Sequence, residues 1–302
     1  LRQFFSDFSK LIKFRLTFLV VFSASVTFLI GSRIQIERGV VEGIDWTNWL
    51  ILVIGGFLVT GAANCFNEII EVDLDRLMTR TKDRPMPAGR MTTGQGLVLG
   101  LIMGIAGTSL LVKLNLETGM LSVFSILLYA FAYTPLKRKS PISVFVGAIP
   151  GALPPLIGYI AAIGSRQSEI GYVAVDYQIA VILFLIQFVW QFPHFWAIAW
   201  VLDDDYKKAG FRLLPTKKRD RTSAIFTFVS TLILIPVSLL PTFYGFGGYY
   251  IAGVSIIAGL LFSWYAYQLM VKMDLASARK VMFCSFFYIP LVQLILLFNI
   301  KI

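Results

Sequence analysis

Apolar runs close to twenty residues long, broken by short polar connections, dominate the chain. They fall near 16–32, 47–70, 95–114, 118–135, 141–163, 176–201, 223–243, 247–271 and 281–299. A hydrocarbon core about 30 Å thick needs about 20 apolar residues per helical crossing. The pattern therefore predicts an all-α integral membrane protein with nine transmembrane helices. They form a single polytopic domain over 1–302, because the gaps leave no room for a soluble one. Gly247, Gly248 and neighbouring tyrosines blur the start of the eighth run. The first run follows Arg2, Lys10, Lys13 and Arg15, as a signal peptide would. No small-residue cleavage site ends it and eight further runs follow, so it reads as a retained helix.

Composition fits that class. The 302 residues are 57% hydrophobic and only 15% charged, against about 25% charged in soluble domains. Mean hydropathy is +0.75, which excludes a disordered chain. Yet 27 Lys and Arg face 17 Asp and Glu, a net charge of +10. If alternate connections lie on opposite membrane faces, 22 basic residues share the side of the N-terminus. Arg33, Arg38, Lys113, Arg166 and Lys301 take the other. The positive-inside rule then places the N-terminus in the cytoplasm and the C-terminus outside. Cys65 and Cys284 fall within spans and read as buried, inert thiols. The polar stretch 164–177 on the outer side reads as a loop without assigned function.

Two segments concentrate the acidic residues. In the first, Asn67, Glu71 and Asp75 are spaced by four. On a helix they occupy an arc of about 80° over about 12 Å, with Glu68 at its border and Asp73 off it. Carboxylates at a membrane boundary cost several kcal/mol, on the order of 3, unless a cation compensates. Oxygen ligands of this kind suit Mg²⁺, which binds through one or two carboxylates plus substrate phosphates. Arg76, Arg80, Lys82, Arg84 and Arg90 follow, so the segment offers both metal ligands and guanidinium forks for a diphosphate. The competing reading of the basic residues is a solvated cytoplasmic loop.

The second segment runs from Trp190 through His194, the only histidine, to Asp203, Asp204 and Asp205. Eleven residues separate His194 from Asp205, which returns a continuous helix to within about 20° of the same face. A satisfied core histidine and a helix-end charge run are the plainer readings. A third group, Lys137 and Arg138, closes the fourth span as candidate phosphate ligands or as topology anchors. Gly147, Gly151, Pro154, Pro155 and Gly158 interrupt the fifth, where small residues permit close helix approach and the prolines a kink beside a cavity. The acidic and basic segments after spans two and six echo one another weakly.

The run from Asn67 through Glu71 and Asp75 to Arg84-Pro85 resembles the first motif of UbiA-type intramembrane prenyltransferases. Trp190-Gln-Phe-Pro-His-Phe-Trp-Ala197 with Asp204-Asp-Tyr-Lys-Lys-Ala-Gly210 is more selective and looks like the protohaem IX farnesyltransferase branch. Lys13-Phe14-Arg15, Tyr133-Thr134 with Leu136-Lys137-Arg138, and the stretch Gly151–Gly158 match that branch as well. The resemblance implies a UbiA-like bundle around a central cavity in the plasma (inner) membrane, with its active face cytoplasmic. It implies farnesyl transfer from farnesyl diphosphate to a vinyl group of haem B, with addition of water, giving haem O.

Asn67, Glu71 and Asp75 would then hold Mg²⁺ and diphosphate, and Arg76, Arg80, Arg84, Lys137 and Arg138 would clamp the diphosphate. Glu71 stands where Asp is commoner in that motif, and Phe14 replaces a common proline. Related quinone-type enzymes carry two aspartates spaced by seven where this chain has His194 and Val201. The departure leaves a second metal site open and directs attention to His194, as a haem ligand, an orienter of water or a structural residue. Haem-modifying or terminal-oxidase assembly proteins are the partners this resemblance suggests. A quinone- or chlorophyll-type prenyltransferase and a polytopic transporter are the alternatives.

Overall fold

The computed structural model describes residues 2–164 and 176–301. Most of the predicted outer loop over 164–177, Arg166 included, lies outside them. Among the described residues, nine helices are long and apolar enough to cross a membrane. A short helix, α1 (Arg2–Leu11), precedes them. The spans are α2 (Phe14–Glu37), α3 (Trp46–Leu77), α4 (Thr93–Leu114), α5 (Leu116–Leu136), α6 (Ser143–Gly164), α7 (Tyr177–Lys208), α8 (Arg221–Phe243), α9 (Tyr249–Lys272) and α10 (Leu275–Phe298).

Local chemistry starts and stops these helices. Asp45, Asn115, Asp220 and Asp274 each accept a hydrogen bond from the backbone N–H three residues on. Thr92 and Gln95 form a reciprocal capping box. Each device satisfies backbone donors that the helix start leaves unpaired. The glycines that blur the eighth run form a turn, with Gly248 N–H donating 2.8 Å to the Asn299 carbonyl.

Two spans outrun the apolar pattern. α3 continues to Leu77 rather than 70, and α7 to Lys208 rather than 201. Both carry their acidic residues on helix, because the carboxylates find partners within the bundle. Outward positions remain apolar. Ile105, Ile257 and Phe287 are 68%, 71% and 72% exposed, as expected of side chains facing lipid.

Inside, the buried residues form two cores. One joins α3, α4 and α5, and the other joins α7 to α10; α2 and α6 contribute to both. These two helices pack closely because a Cβ at Gly158 would strike the Ala24 carbonyl oxygen. Between the cores lies the cavity that the bundle encloses. A buried polar network ties the helices around it. Gln293 donates to Ser23 at 2.8 Å, Ser23 donates to Gln187 at 2.8 Å, and Gln187 donates to the Gly151 carbonyl at 2.8 Å. Such bonds join helices in lipid, where burial of apolar surface supplies little drive for association.

Candidate active site

The last three turns of α3 carry Asn67, Glu68, Glu71 and Asp75, all at most 3% exposed. Their spacing turns one polar face inward, and cations from three other segments meet it. Lys13 stands at the break between α1 and α2, in left-handed backbone conformation with φ 50°. Its Nζ donates 2.6 Å to Asn67 Oδ1. Arg84 folds back from the turn after α3 and pairs with Asp75 at 2.5 Å. Lys137, just past α5, pairs with Glu71 at 2.5 Å.

Asn67 Nδ2 bridges the set by donating to Glu71 (2.9 Å) and Thr134 (3.0 Å). Three buried carboxylates thus face three cations. Burial, with the nearby Arg84 and Lys137 charges, pushes the Lys13 ammonium down to about 7. Burial also lowers Lys137, against the opposing pull of Glu71.

The surroundings hold the cluster in place. Residues Leu128–Tyr133 of α5 form a π-helical turn, a distortion often found at functional sites. It presents Tyr129 and Tyr133 beside Thr134. Gly147 on α6 leaves room for Tyr133, whose ring would lie 2.6 Å from an added Cβ. Lys10 pairs with Asp83 at 2.6 Å and Asp7 with Arg90 at 3.0 Å, which staples α1 over the turn after α3.

An apolar cavity of about 320 Å³ lies between the two cores, next to this cluster. Asn64, Tyr129 and Tyr133 line it at the cluster end, and Trp190, His194 and Phe286 line it elsewhere. Rings connect the two regions. Tyr133 lies 6.5 Å from Phe195, which lies 5.7 Å from His194. A charged group at the cluster and a long apolar body in the cavity fit this shape together.

The UbiA prenyltransferase family profile matches residues 39–289. The chain belongs to that family. It is a multi-pass membrane prenyltransferase. It is 44% identical to the protoheme IX farnesyltransferase of Cytophaga hutchinsonii over 292 residues, 96% of each chain. It is also 44% identical to that of Christiangramia forsetii, over 96% of this chain and 92% of the relative. A solved structure from work on digeranylgeranylglyceryl phosphate synthase in membranes superposes with a TM-score of 0.76 at 20% identity, over 98% of both chains. A UbiA homolog from Archaeoglobus fulgidus bound to GPP and Mg²⁺ gives 0.61 at 13% identity, covering 94% of this chain and 99% of the other.

Within this UbiA prenyltransferase the residues singled out from sequence separate into groups. Asn67, Glu71, Asp75, Arg84 and Lys137 come together. Arg80 stands exposed, 6.0 Å over the Tyr206 ring. Arg76 turns away to Asp73 at 2.9 Å. Arg138 is exposed and forms no ion pair with a described residue.

Asp203, Asp204 and Asp205 do not converge on one site, although Arg219 reaches Asp203 (3.7 Å) as well as Asp204. Lys207 pairs with Asp203 at 2.6 Å and Arg219 with Asp204 at 2.9 Å. Asp205 accepts from the N–H groups of Thr79 and Arg80 at 2.8 and 3.1 Å. The shared stripe of His194 and Asp205 therefore serves two separate surroundings, the cavity wall and the turn after α3.

Lys13, Thr134 and Glu68 were absent from the site read from sequence. Lys13 counted there among the topology charges, although it lies in a segment that matches the branch.

Among the described residues no three His, Cys, Asp or Glu side chains are grouped so as to hold a metal ion by themselves. Asp75 Oδ1 and Glu68 Oε2 are nevertheless buried without a donor. Unsatisfied carboxylate oxygen in a low-dielectric site favours a cation. Two carboxylates and an amide on one helix face match the incomplete protein shell that Mg²⁺ accepts. The residues fit the ion.

Proposed function

We propose that this prenyltransferase moves the farnesyl group of farnesyl diphosphate to a vinyl group of haem B, with addition of water, giving haem O. The observation that carries the reading is a buried acid–cation cluster next to an apolar cavity, with Tyr133 between Lys137 and the cavity and His194 on the cavity wall. The relatives named protoheme IX farnesyltransferase, matched over nearly their full length, support the choice of acceptor.

Charge balance supports the donor. Glu68, Glu71 and Asp75 already offset Lys13, Arg84 and Lys137. A diphosphate ester, with about three negative charges, would unbalance the site unless a divalent cation entered with it. Asn67, Glu71 and Asp75 would hold Mg²⁺, which supplies charge neutralisation at the leaving diphosphate.

Arg84 and Lys137 shift from carboxylate to diphosphate oxygens as the group leaves, and Arg80 adds a contact from the mouth. The C1–O bond of the prenyl diphosphate breaks with its electron pair on oxygen. The vinyl carbon bonds to C1, and the cation formed beside the porphyrin takes hydroxide from water, which releases a proton. Apolar cavity walls keep water from the allylic cation until the carbon–carbon bond forms.

In this reading the N-terminus and the active face are cytoplasmic and the membrane is the plasma (inner) membrane. Haem-modifying or terminal-oxidase assembly proteins would take the product. Incubating the purified protein with haem B, Mg²⁺ and farnesyl diphosphate, then weighing the porphyrin, tests the proposal. The mass of haem O is expected. Unchanged haem B, with prenylation of a quinone precursor instead, would overturn it.

A further inference from the structure

His194 faces the cavity from α7, and elimination fixes its hydrogen. Its Nδ1 lies 2.8 Å from Ser285 Oγ on α10. The same Oγ lies 2.6 Å from the Met282 carbonyl oxygen. A carbonyl has no hydrogen to give, so the serine proton must sit between those two oxygens. Ser285 is fully buried. With its single proton on Met282, Ser285 can only accept from His194. Nδ1 therefore carries the imidazole hydrogen, and Nε2 is the bare nitrogen. Nε2 makes no hydrogen bond to a described residue, while His194 lines the cavity.

The ring is also fixed in tilt. Trp190 stacks on it at 4.3 Å with 17° between planes, and Phe286 meets it edge-on at 5.4 Å. Trp190 Nε1 donates to the Ser285 carbonyl at 2.9 Å. One residue of α10 thus anchors both rings, by main chain and by side chain.

We propose that Ser285 is a positioning residue that sets the His194 tautomer and presents Nε2 as an axial ligand to the iron of the haem acceptor. This rests on the haem reading above and adds to it. A neutral imidazole with one bare nitrogen is the form that binds iron. An acceptor on the opposite N–H fixes the ring and raises its basicity. The iron–nitrogen bond would tether the porphyrin at its centre, leaving an edge free to reach along Phe195 toward Tyr133 and the diphosphate cluster.

The test uses full-length protein in detergent, loaded with haem B and reduced, and read by resonance Raman scattering and haem titration. Wild type is expected to show an iron–histidine stretching band. His194→Ala should lose the band, and added imidazole should restore it. Ser285→Ala should shift the band to lower frequency and weaken haem binding about 10-fold. Suppose the wild type makes haem O without an iron–histidine band, or Ser285→Ala leaves both band and affinity unchanged. The first result overturns the ligation and the second the positioning role of Ser285, and both leave the acceptor reading standing. Wild-type protein that neither binds haem B nor farnesylates it would remove both.

Discussion

The ends of α3 and α7 each carry a run of acidic residues, four on α3 and three on α7, and use them differently. On α3, spacings of three and four keep Glu68, Glu71 and Asp75 on one buried face, where Lys137 and Arg84 reach Glu71 and Asp75. On α7 the three aspartates are consecutive. Each is turned about 100° from the last, so they fan around the helix. Asp203 meets Lys207, the largely exposed Asp204 meets Arg219, and Asp205 holds the backbone of the turn after α3. Three of the four charges on α3 are focused on one face, with Asp73 turned outward to Arg76, whereas the three on α7 are spread. Glu68 Oε2 and Asp75 Oδ1 of the focused set are buried with neither a hydrogen bond nor an ion pair to a described residue, whereas Asp203 Oδ2 on α7 is held by Lys207. The spread set braces the connections that bring Arg84 into place.

The comparison can be broken most sharply at α3. Glu71→Gln and Asp75→Asn should each reduce prenyl transfer by about 100-fold or more, in line with removal of a group that stabilises charge in the transition state. Both proteins should still fold, as judged by thermal melting in detergent. Next in size is Lys137→Ala. It leaves the buried Glu71 carboxylate without its cation, a loss of about 3 kcal/mol. A lower melting temperature and a raised KM for farnesyl diphosphate are expected, and an unchanged melting curve would contradict the buried pair.

Asp205→Asn should act through the turn. Weakening its hold on the Thr79 and Arg80 N–H groups costs about 1 kcal/mol, with a fall in turnover of less than about 10-fold. Asp204→Asn should do least, because an exposed ion pair contributes about 0–1 kcal/mol. Its rate should stay within about twofold of wild type. If Asp204 and Asp75 variants lost activity equally, focused spacing would not be what separates the two helix ends.

The spans were legible in sequence because a membrane helix must be long and apolar, and that pattern needs no tertiary knowledge. The stripe of Asn67, Glu71 and Asp75 was legible for a related reason. Helical spacing alone places these residues on one face, and acids at the end of an apolar run need a partner. Which cations answer them was not legible. Arg76 and Arg84 look equivalent along the chain, yet the reversal after Leu77 sends Arg84 inward and leaves Arg76 beside Asp73. Lys13 reaches Asn67 only because the backbone breaks left-handed between α1 and α2. Ser285 carried no signal at all, since a serine in an apolar run is ordinary until its helix is packed against His194.

The most direct test of the central claim measures haem O formation against free Mg²⁺ for wild type, Glu71→Gln and Asp204→Asn. The claim is that the α3 face holds the metal and diphosphate while the α7 aspartates do not. Chelated wild type should be inactive and recover with Mg²⁺. Glu71→Gln should need more Mg²⁺ for what rate remains, and Asp204→Asn should follow the wild-type curve. A Mg²⁺ requirement that shifts with Asp204 and ignores Glu71 would contradict the account.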